Sequence, residues 1–468
     1  MTDLYGGTVD PRRQLIPEVA RDLMASWLRK AYWNAFTLWH VRGESGCPYR
    51  PLEALSAIQN RRIKAIVAHA YETVPHYRKI MDEARLRPRD FHTADDLARL
   101  PIVTGKDLAL EPRRFLSSRY TNGESLKLQS SGTSGFAKEI FYDPAALFLA
   151  LAHGHRQRLV LARFVGRKFG YREMKLARAA SVSFQIRDFY ESHSWVPRKV
   201  DLKRSAASPS DRFEDTVARC NEFKPDILRG YGSHLGALFR WAWEKNLHLF
   251  RPKVIIYGAD RMPDVDRRLI ETEFGVPVVS MYQAAESLRI GFQCERREGF
   301  HLSRDHAAVR VVDAEGNPVA PGDSGEIVIS NLTNRATVLL NYKLGDVVTI
   351  AREPCPCGRT LPIIERIEGR AEDFIVSSGH KIHALVVLAP LLRVPGVIQV
   401  QLIQEEPQRF SLRVVCAATA EWSSVYRGLG AALHSTLGDH LALEIERTDA
   451  IPPEPSGKVK AVISHCLE

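Results

Sequence analysis

Chemistry first suggests itself in Gln129-Ser130-Ser131-Gly132-Thr133-Ser134-Gly135-Phe136-Ala137-Lys138. Hydroxyl residues, two glycines and a terminal lysine in one turn can aim backbone N–H groups, side-chain hydroxyls and a cation at a phosphate chain. The stretch lacks the Gly-x-x-x-x-Gly-Lys-Ser/Thr pattern of the Walker loop. A polar surface turn is the competing reading, and the loop alone leaves both open.

A second constellation has the donor chemistry of a metal site. Cys355-Pro356-Cys357 supplies two thiols, and Cys294 with His301 makes a Cys-x6-His pair upstream. Three thiolates and one imidazole suit a closed tetrahedral zinc whose task is structural. His306 is the rival fourth ligand, and reduced cysteines in a proline-containing turn are the metal-free alternative. The chain has seven cysteines, an odd number over 468 residues, so a disulfide framework is not expected.

The elements that must position these residues follow from the pattern. Ser125–Leu128 reads as a strand before the Ser/Gly loop, and the apolar spacing after Asp143 as a helix. Leu159–Arg167, Asp211–Phe223, Leu235–Trp243 and Asp264–Phe274 read as helices. They alternate with strands at Pro225–Leu228, Val254–Tyr257 and Val278–Met281. The unbroken apolar run Val254-Ile255-Ile256-Tyr257 is the mark of a buried parallel strand. Ligands in such sheets bind at the carboxyl ends of the strands. From about His301 the texture turns to strands, at His306–Val312, Gly325–Ser330 and Val347–Ile350. Gly369-Arg370-Ala371-Glu372-Asp373 reads as a polar break. Beyond it a second α/β pattern has strands at Val397–Leu402, Phe410–Val415 and Leu443–Glu446, with a helix over Val425–Leu437. The expected class is α/β: a large multi-layer N-terminal domain with mixed sheets, residues 1–371, and a small α/β C-terminal domain, residues 372–468.

Composition bounds the rest. At 45% hydrophobic and 26% charged residues the chain is an ordinary globular one. No apolar run approaches the roughly 18–20 residues that span a membrane, and the N-terminus lacks a basic-then-apolar signal pattern. A cytoplasmic protein without a membrane role is expected. The net charge of +10 is spread along the chain among acids. With no zinc-finger helix spacing, RNA-recognition or basic-zipper pattern, no nucleic-acid partner is expected.

Five short segments, in order, resemble the adenylate-forming (acyl-CoA synthetase) superfamily, and most closely its phenylacetate–CoA ligase-like branch with capsular-polysaccharide-associated relatives. Ser130–Gly135 looks like that family's phosphate loop, and Tyr282-Gln283-Ala284-Ala285-Glu286 its aromatic-x-x-x-Glu segment. Tyr342-Lys343-Leu344-Gly345-Asp346 is similar to its Tyr-x-x-Gly-Asp segment, Gly369–Asp373 to its hinge, and Pro455-Ser456-Gly457-Lys458 to its terminal lysine motif. The resemblance covers about Asn60 to Lys460. Three departures stand out. The loop ends Gly135-Phe136-Ala137-Lys138, Gln283 replaces the usual glycine, and His383-Ala384-Leu385-Val386-Val387 lacks the acidic residue common there.

The resemblance implies ATP-dependent activation of a small organic acid, aromatic by analogy, as acyl-AMP with release of pyrophosphate, followed by CoA thioester formation. It implies the cofactors ATP, Mg2+ and CoA. Ser130, Ser131, Gly132, Thr133, Ser134 and Gly135 would hold the β- and γ-phosphates, with Lys138 nearby. Glu286 would ligate Mg2+. Asp346 would accept the ribose hydroxyls, and Arg370 would assist at the ribose or phosphate. Tyr282 would stack on adenine, with Gly258, Ala259 and Asp260 lining the base pocket. Lys458 would bridge the attacking carboxylate and the α-phosphate. Glu372 falls at the hinge about which the small mobile domain rotates, and Gly379 where the pantetheine passes. A zinc set of Cys294, His301, Cys355 and Cys357 also occurs in that branch. Two alternatives stay open: transfer of the acyl group to an amine or carrier-protein thiol, and a zinc-stabilised non-catalytic binding protein. A homodimer is compatible with either.

Overall fold

A computed structural model describes residues 18–121, 125–130, 138–178, 181–195, 203–370, 374–377, 380–417, 419–438, 440–452 and 459–466. Among them, four α-helices precede the sheets: α1 (Glu18–Val41), α2 (Leu52–Thr73), α3 (Pro75–Glu83) and α4 (Gly105–Leu110). A hairpin of β1 (Leu126–Ser130) and β2 (Lys138–Tyr142) follows, then α5 (Pro144–Val165). Asp143 caps α5 by accepting from the Ala146 amide at 2.9 Å. Pro144 opens the helix, and Gly166 closes it at φ +81. The expected helix at 159–167 is therefore the last part of one continuous helix.

The next segment alternates as the apolar runs predict. It comprises β3 (Glu173–Leu176), α6 (Val182–His193), β4 (Arg204–Ala207), α7 (Phe213–Phe223), β5 (Ile227–Tyr231), α8 (Gly232–Glu244), β6 (Val254–Gly258), α9 (Asp264–Thr272) and β7 (Val278–Tyr282). Strands β3–β7 are mutually parallel, in the order β4-β3-β5-β6-β7. Antiparallel strands extend this sheet: β8 (Gly291–Phe292), β9 (Phe300–Leu302), β10 (Ala307–Val312), β11 (Ser324–Asn331), β12 (Tyr342–Ile350) and β13 (Ile363–Arg370). Together they make one eleven-stranded mixed sheet, β10-β11-β12-β13-β9-β8-β7-β6-β5-β3-β4. Its parallel half is covered on one side by a core with Leu235, Leu238 and Phe239 of α8, and on the other by Leu161 and Val165 of α5. The antiparallel half shares a core with α2, α3 and the hairpin, centred on Tyr77, Tyr142, Phe148 and Tyr342.

The remaining elements are β14 (Phe374–Ser377), β15 (His380–His383), α10 (Ala384–Leu392), β16 (Val397–Glu406), β17 (Arg409–Cys416), α11 (Trp422–Leu437), β18 (Ala442–Arg447) and β19 (Val462–Ser464). The last four strands form a separate sheet, β18-β17-β16-β19. Its buried cluster, from Ile375 to Val462, takes no residue from the eleven-stranded sheet. The fold is the mixed α/β architecture expected. One boundary differs. Gly369 and Arg370 were expected in a break but end β13, because the β12 ladder pairs Val347 with Gly369 and Asp346 with Arg370.

Candidate active site

The Ser/Gly loop has a different setting from the one its neighbours in sequence suggested. Ser130 and Lys138 are paired residues at the loop end of the antiparallel β1–β2 hairpin. The loop thus joins two strands instead of a strand and a helix, since Lys138–Tyr142 form β2 before α5 begins. The positive end of the α5 dipole is consequently not at the loop. Ser131, Gly132, Thr133, Ser134 and Gly135 lie outside the described residues, as does the side chain of Ser130.

The hairpin delivers Lys138 into a buried cluster. Its Nζ lies 3.1 Å from Oε1 of Glu286 and donates to the Tyr342 hydroxyl at 3.0 Å. Tyr342 in turn donates to the same Glu286 oxygen at 2.9 Å. Burial pushes the Glu286 carboxyl up, but Lys138 and the hydrogen bond from Tyr342 outweigh it and hold the group below its ordinary value. The segment carrying Glu286 is fixed from behind. Tyr142 donates to the Ala285 carbonyl at 2.8 Å, and the Asn331 side-chain amide to the Glu286 carbonyl at 3.0 Å. Gly105 opens α4 with room for the lysine head, since a Cβ there would meet Nζ at 2.9 Å. In the sequence Tyr342 belongs to a motif without an evident task of its own, and Gly105 carries no signal.

Tyr282, at the end of β7, is 7% exposed and donates to Oδ2 of Asp346 at 2.6 Å. Asp346 sits within an irregularity in β12, where Glu326 pairs with Val347 but Val328 pairs with Lys343. The surplus residues include Gly345 at φ +87, a left-handed conformation that side chains disfavour. Such a bulge re-aims the residue next to it. Arg370 is opposite Asp346 in the ladder, and its side chain is outside the described residues.

Gly258 ends β6 and Ala259-Asp260 follow it, with Ala259 at φ +74. A non-glycine residue there is uncommon and is held by its surroundings. The Asp260 carboxylate supplies one reason. It accepts from the Gly232 amide at 2.5 Å and from the Ser233 hydroxyl, so it caps α8, whose own first residues provide no side-chain cap. Gly379, Glu372 and Lys458 lie outside the described residues.

The expected zinc ligands converge. One donor atom each from Cys294, His301, Cys355 and Cys357 lies within 4.8 Å of all the others. The Cys294 and Cys355 sulfurs are 3.8 Å apart, and Cys357 Sγ is 3.4 Å from His301 Nε2. Tetrahedral zinc with Zn–S bonds near 2.3 Å requires S···S separations of about 3.8 Å. Burial lowers His301 to about 4, keeping the imidazole in the neutral form a metal needs. His306 lies elsewhere, its Nδ1 2.7 Å from His153 Nδ1. That pair joins a buried network in which Arg156 binds Asp305 at 2.8 and 2.7 Å and Glu44 at 2.6 Å. Glu44, His153 and Asp305 also converge as metal ligands can, but the Arg156 guanidinium already bridges the two carboxylates. Sequence reasoning missed this network because its members are far apart in the chain.

The fold is that of the adenylate-forming ligases. The chain's homologues are phenylacetate–coenzyme A ligases and CapK. It is 28% identical to the phenylacetate–coenzyme A ligase of Thermus thermophilus over 364 residues, 74% of this chain and 77% of that one. To the protein CapK of Staphylococcus aureus it is 22% identical over 426 residues, 89% and 90% of the two chains. The family model of the CapK C-terminal domain matches residues 374–465. A crystal structure of 2-hydroxyisobutyryl-CoA ligase in the postadenylation state, in complex with R3-HIB-AMP, superposes with a TM-score of 0.71. It shares 19% identity and covers 90% of this chain and 92% of that one.

Proposed function

We propose that this chain is an ATP-dependent carboxylate–CoA ligase that works through an acyl-adenylate. The observation that carries the reading is similarity to phenylacetate–coenzyme A ligases over about three quarters of the chain, with Lys138, Glu286 and Tyr342 gathered at the root of the Ser/Gly hairpin.

In the first step a substrate carboxylate oxygen attacks the α-phosphorus of ATP. A P–O bond forms, and the bond to the pyrophosphate oxygen breaks. Charge builds on phosphoryl oxygens, so donors and cations there lower the barrier. The loop residues 130–135 cradle the β- and γ-phosphates. Lys138 lies at their edge, and its link to Glu286 fixes it there. Glu286 is buried and held in its ionised form, the state suited to a hard cation. Mg2+ bound with ATP supplies neutralisation of the polyphosphate charge. Asp346 accepts from the ribose hydroxyls, and its 2.6 Å bond from Tyr282 ties the ribose site to the aromatic that flanks adenine. Arg370, opposite Asp346, assists at the ribose or phosphate. Gly258 and Ala259 line the base pocket, while Asp260 holds α8 in place beside it. Lys458 bridges the carboxylate and α-phosphate. In the second step the CoA thiol attacks the acyl carbon and AMP leaves, the thiol passing Gly379.

The boundary between a nucleotide- and acyl-binding domain and a mobile domain is placed at 371/372. The self-contained cluster from Ile375 to Val462 supports it. Cys294, His301, Cys355 and Cys357 would hold zinc, which would join two loops and take no part in the chemistry. Among the described residues no helix is long and apolar enough to cross a membrane.

The test is ATP–pyrophosphate exchange across a panel of carboxylic acids, followed by CoA-dependent release of AMP. Exchange with at least one acid and AMP release on adding CoA are expected. AMP formed only with an added amine or carrier protein would remove CoA as the acceptor, and no exchange with any acid would remove the adenylation step.

A further inference from the structure

Helix α1 has two apolar faces, and among the described residues only one of them is packed. On the inner face Trp33 stacks on Phe148 of α5, with ring centroids 4.7 Å apart and planes 12° from parallel. Phe36 packs beside it against the same core. The outer face carries Leu28, Tyr32, Ala35 and Trp39, at steps of four, three and four residues. That spacing is the apolar seam of a helix pair. All four are exposed, and Ala31 and Leu38 border them. From Ala31 to Trp39 the helix has no charged residue.

Trp27, Leu28, Tyr32, Leu38 and Trp39 are 57–70% exposed. A whole aromatic side chain offers about 150–250 Å2, so these five leave roughly 600 Å2 of apolar surface in water. The largest apolar patch of an ordinary monomer is about 300–600 Å2, and a stable complex takes about 800 Å2 from each partner. Trp195, just beyond the end of α6, has its ring 5.7 Å from that of Trp27 and extends the patch towards that size.

Two features select the occupant. Small residues lie in and beside the seam. Ala35 and Ala31 let a partner helix approach closely, which a lipid surface does not require. The seam is also its own complement. Antiparallel pairing about a two-fold axis level with positions 33 and 34 sets Trp39 of one copy opposite Leu28 of the other, and Tyr32 opposite Ala35, each pair occurring twice. Every layer then holds one large and one smaller side chain, with Leu38 near Ala31 of the other copy on the flank. From Leu28 to Trp39 the seam is about 16 Å long, too short to hold two free helices together. Here α1 is already folded against its own chain, so pairing has no helix to order.

We propose that two copies of this chain associate through α1, their outer seams meeting antiparallel across a two-fold axis. The proposal stands apart from the ligase reading.

The experiment is sedimentation velocity on the full chain, from sub-micromolar to tens of micromolar. A dimer is expected. The contact is apolar while each copy carries a net charge of +10, so added NaCl should tighten it. Trp39→Ala should weaken the dimer about 30-fold or more, as loss of an aromatic anchor does. Ala35→Glu puts a charge between the helices and should leave a monomer with native circular dichroism. Ala35→Leu separates a fitted seam from a sticky patch. It adds apolar surface, which would tighten unspecific association, but it crowds the layer that Tyr32 fills and should loosen a fitted pair. Should Ala35→Glu not fold, Trp39→Ala and Ala35→Leu decide. A monomer at every concentration overturns the proposal. So does a dimer that salt dissociates, that Trp39→Ala leaves unchanged, or that Ala35→Leu tightens. A monomer that binds vesicles containing anionic lipid, with binding lost in Ala35→Glu, would overturn it in favour of a membrane surface.

Discussion

Tyr282 and Asp346 meet at 2.6 Å although three strands separate theirs in the ladder of the eleven-stranded sheet. A flat sheet would set β7 and β12 about 19 Å apart, four spacings of about 4.8 Å. The side chains bridge far less than that, so the sheet curls sharply over β8 and β9. Those strands have two and three residues and resist bending little. The curl brings the end of the parallel half over the antiparallel half.

Tyr282→Phe removes a donor–acceptor link between the two halves at this point while keeping the ring. Hydrogen bonds to charged groups contribute about 1.5–3 kcal/mol. The KM for ATP in pyrophosphate exchange should therefore rise about tenfold or more. An unchanged KM would show that Asp346 is positioned by other contacts.

Lys138→Met leaves the Glu286 carboxylate buried beside Tyr342 without its cation. Breaking a buried ion pair from one side costs about 3–5 kcal/mol, so a fall in thermal stability and loss of exchange are expected together. Glu286→Gln tests the same pair by pH. The native Glu286 carboxyl is held below its unfolded value. Between the two values the unfolded chain binds more protons, and stability rises with pH there. The contribution is present above about pH 4.3, the unfolded value, and is lost as pH falls through the lower native value. The Gln variant should lose less stability than the native protein across that acid window in urea titrations. Parallel curves would mean that Glu286 does not carry the dependence.

Elemental analysis of protein purified without chelator should find about one zinc per chain. Cys355→Ser and Cys294→Ser should each lower both zinc content and melting temperature, as should a strong chelator applied to the native protein. Metal-free protein whose stability is unaffected by either serine would leave the four residues as a reduced thiol cluster.

Asp260→Ala removes the cap of α8. A lost cap costs about 1 kcal/mol, or about 1–2 °C in a domain of this size. If the carboxylate serves the helix alone, exchange measured at low temperature should persist. A loss of exchange out of proportion to the stability change would give Asp260 a direct part in the base pocket.

Much of this was legible in the sequence because local pattern and burial agree. Val254-Ile255-Ile256-Tyr257 is apolar throughout, and all four residues are buried in a parallel strand. The Cys/His ligands could be grouped because zinc chemistry restricts donors to few residue types. The hairpin setting of the Ser/Gly loop was not legible, since Lys138–Tyr142 is five residues long and merges in pattern with the helix that follows. Gly369 and Arg370 look like a break in isolation, and only pairing with β12 makes them strand.

The cluster of Cys294, His301, Cys355 and Cys357 stands beside the thinnest part of the sheet. Cys294 follows β8, His301 lies on β9, and Cys355 and Cys357 precede β13. Between β7 and β13 the ladder is only a few bonds deep, a fracture line between two otherwise well-paired halves. A metal bound there would act as a rivet across that line. Under pulling force or partial denaturation, the zinc-free chain is expected to part along β8 and β9, separating Tyr282 from Asp346 while each half keeps its own core.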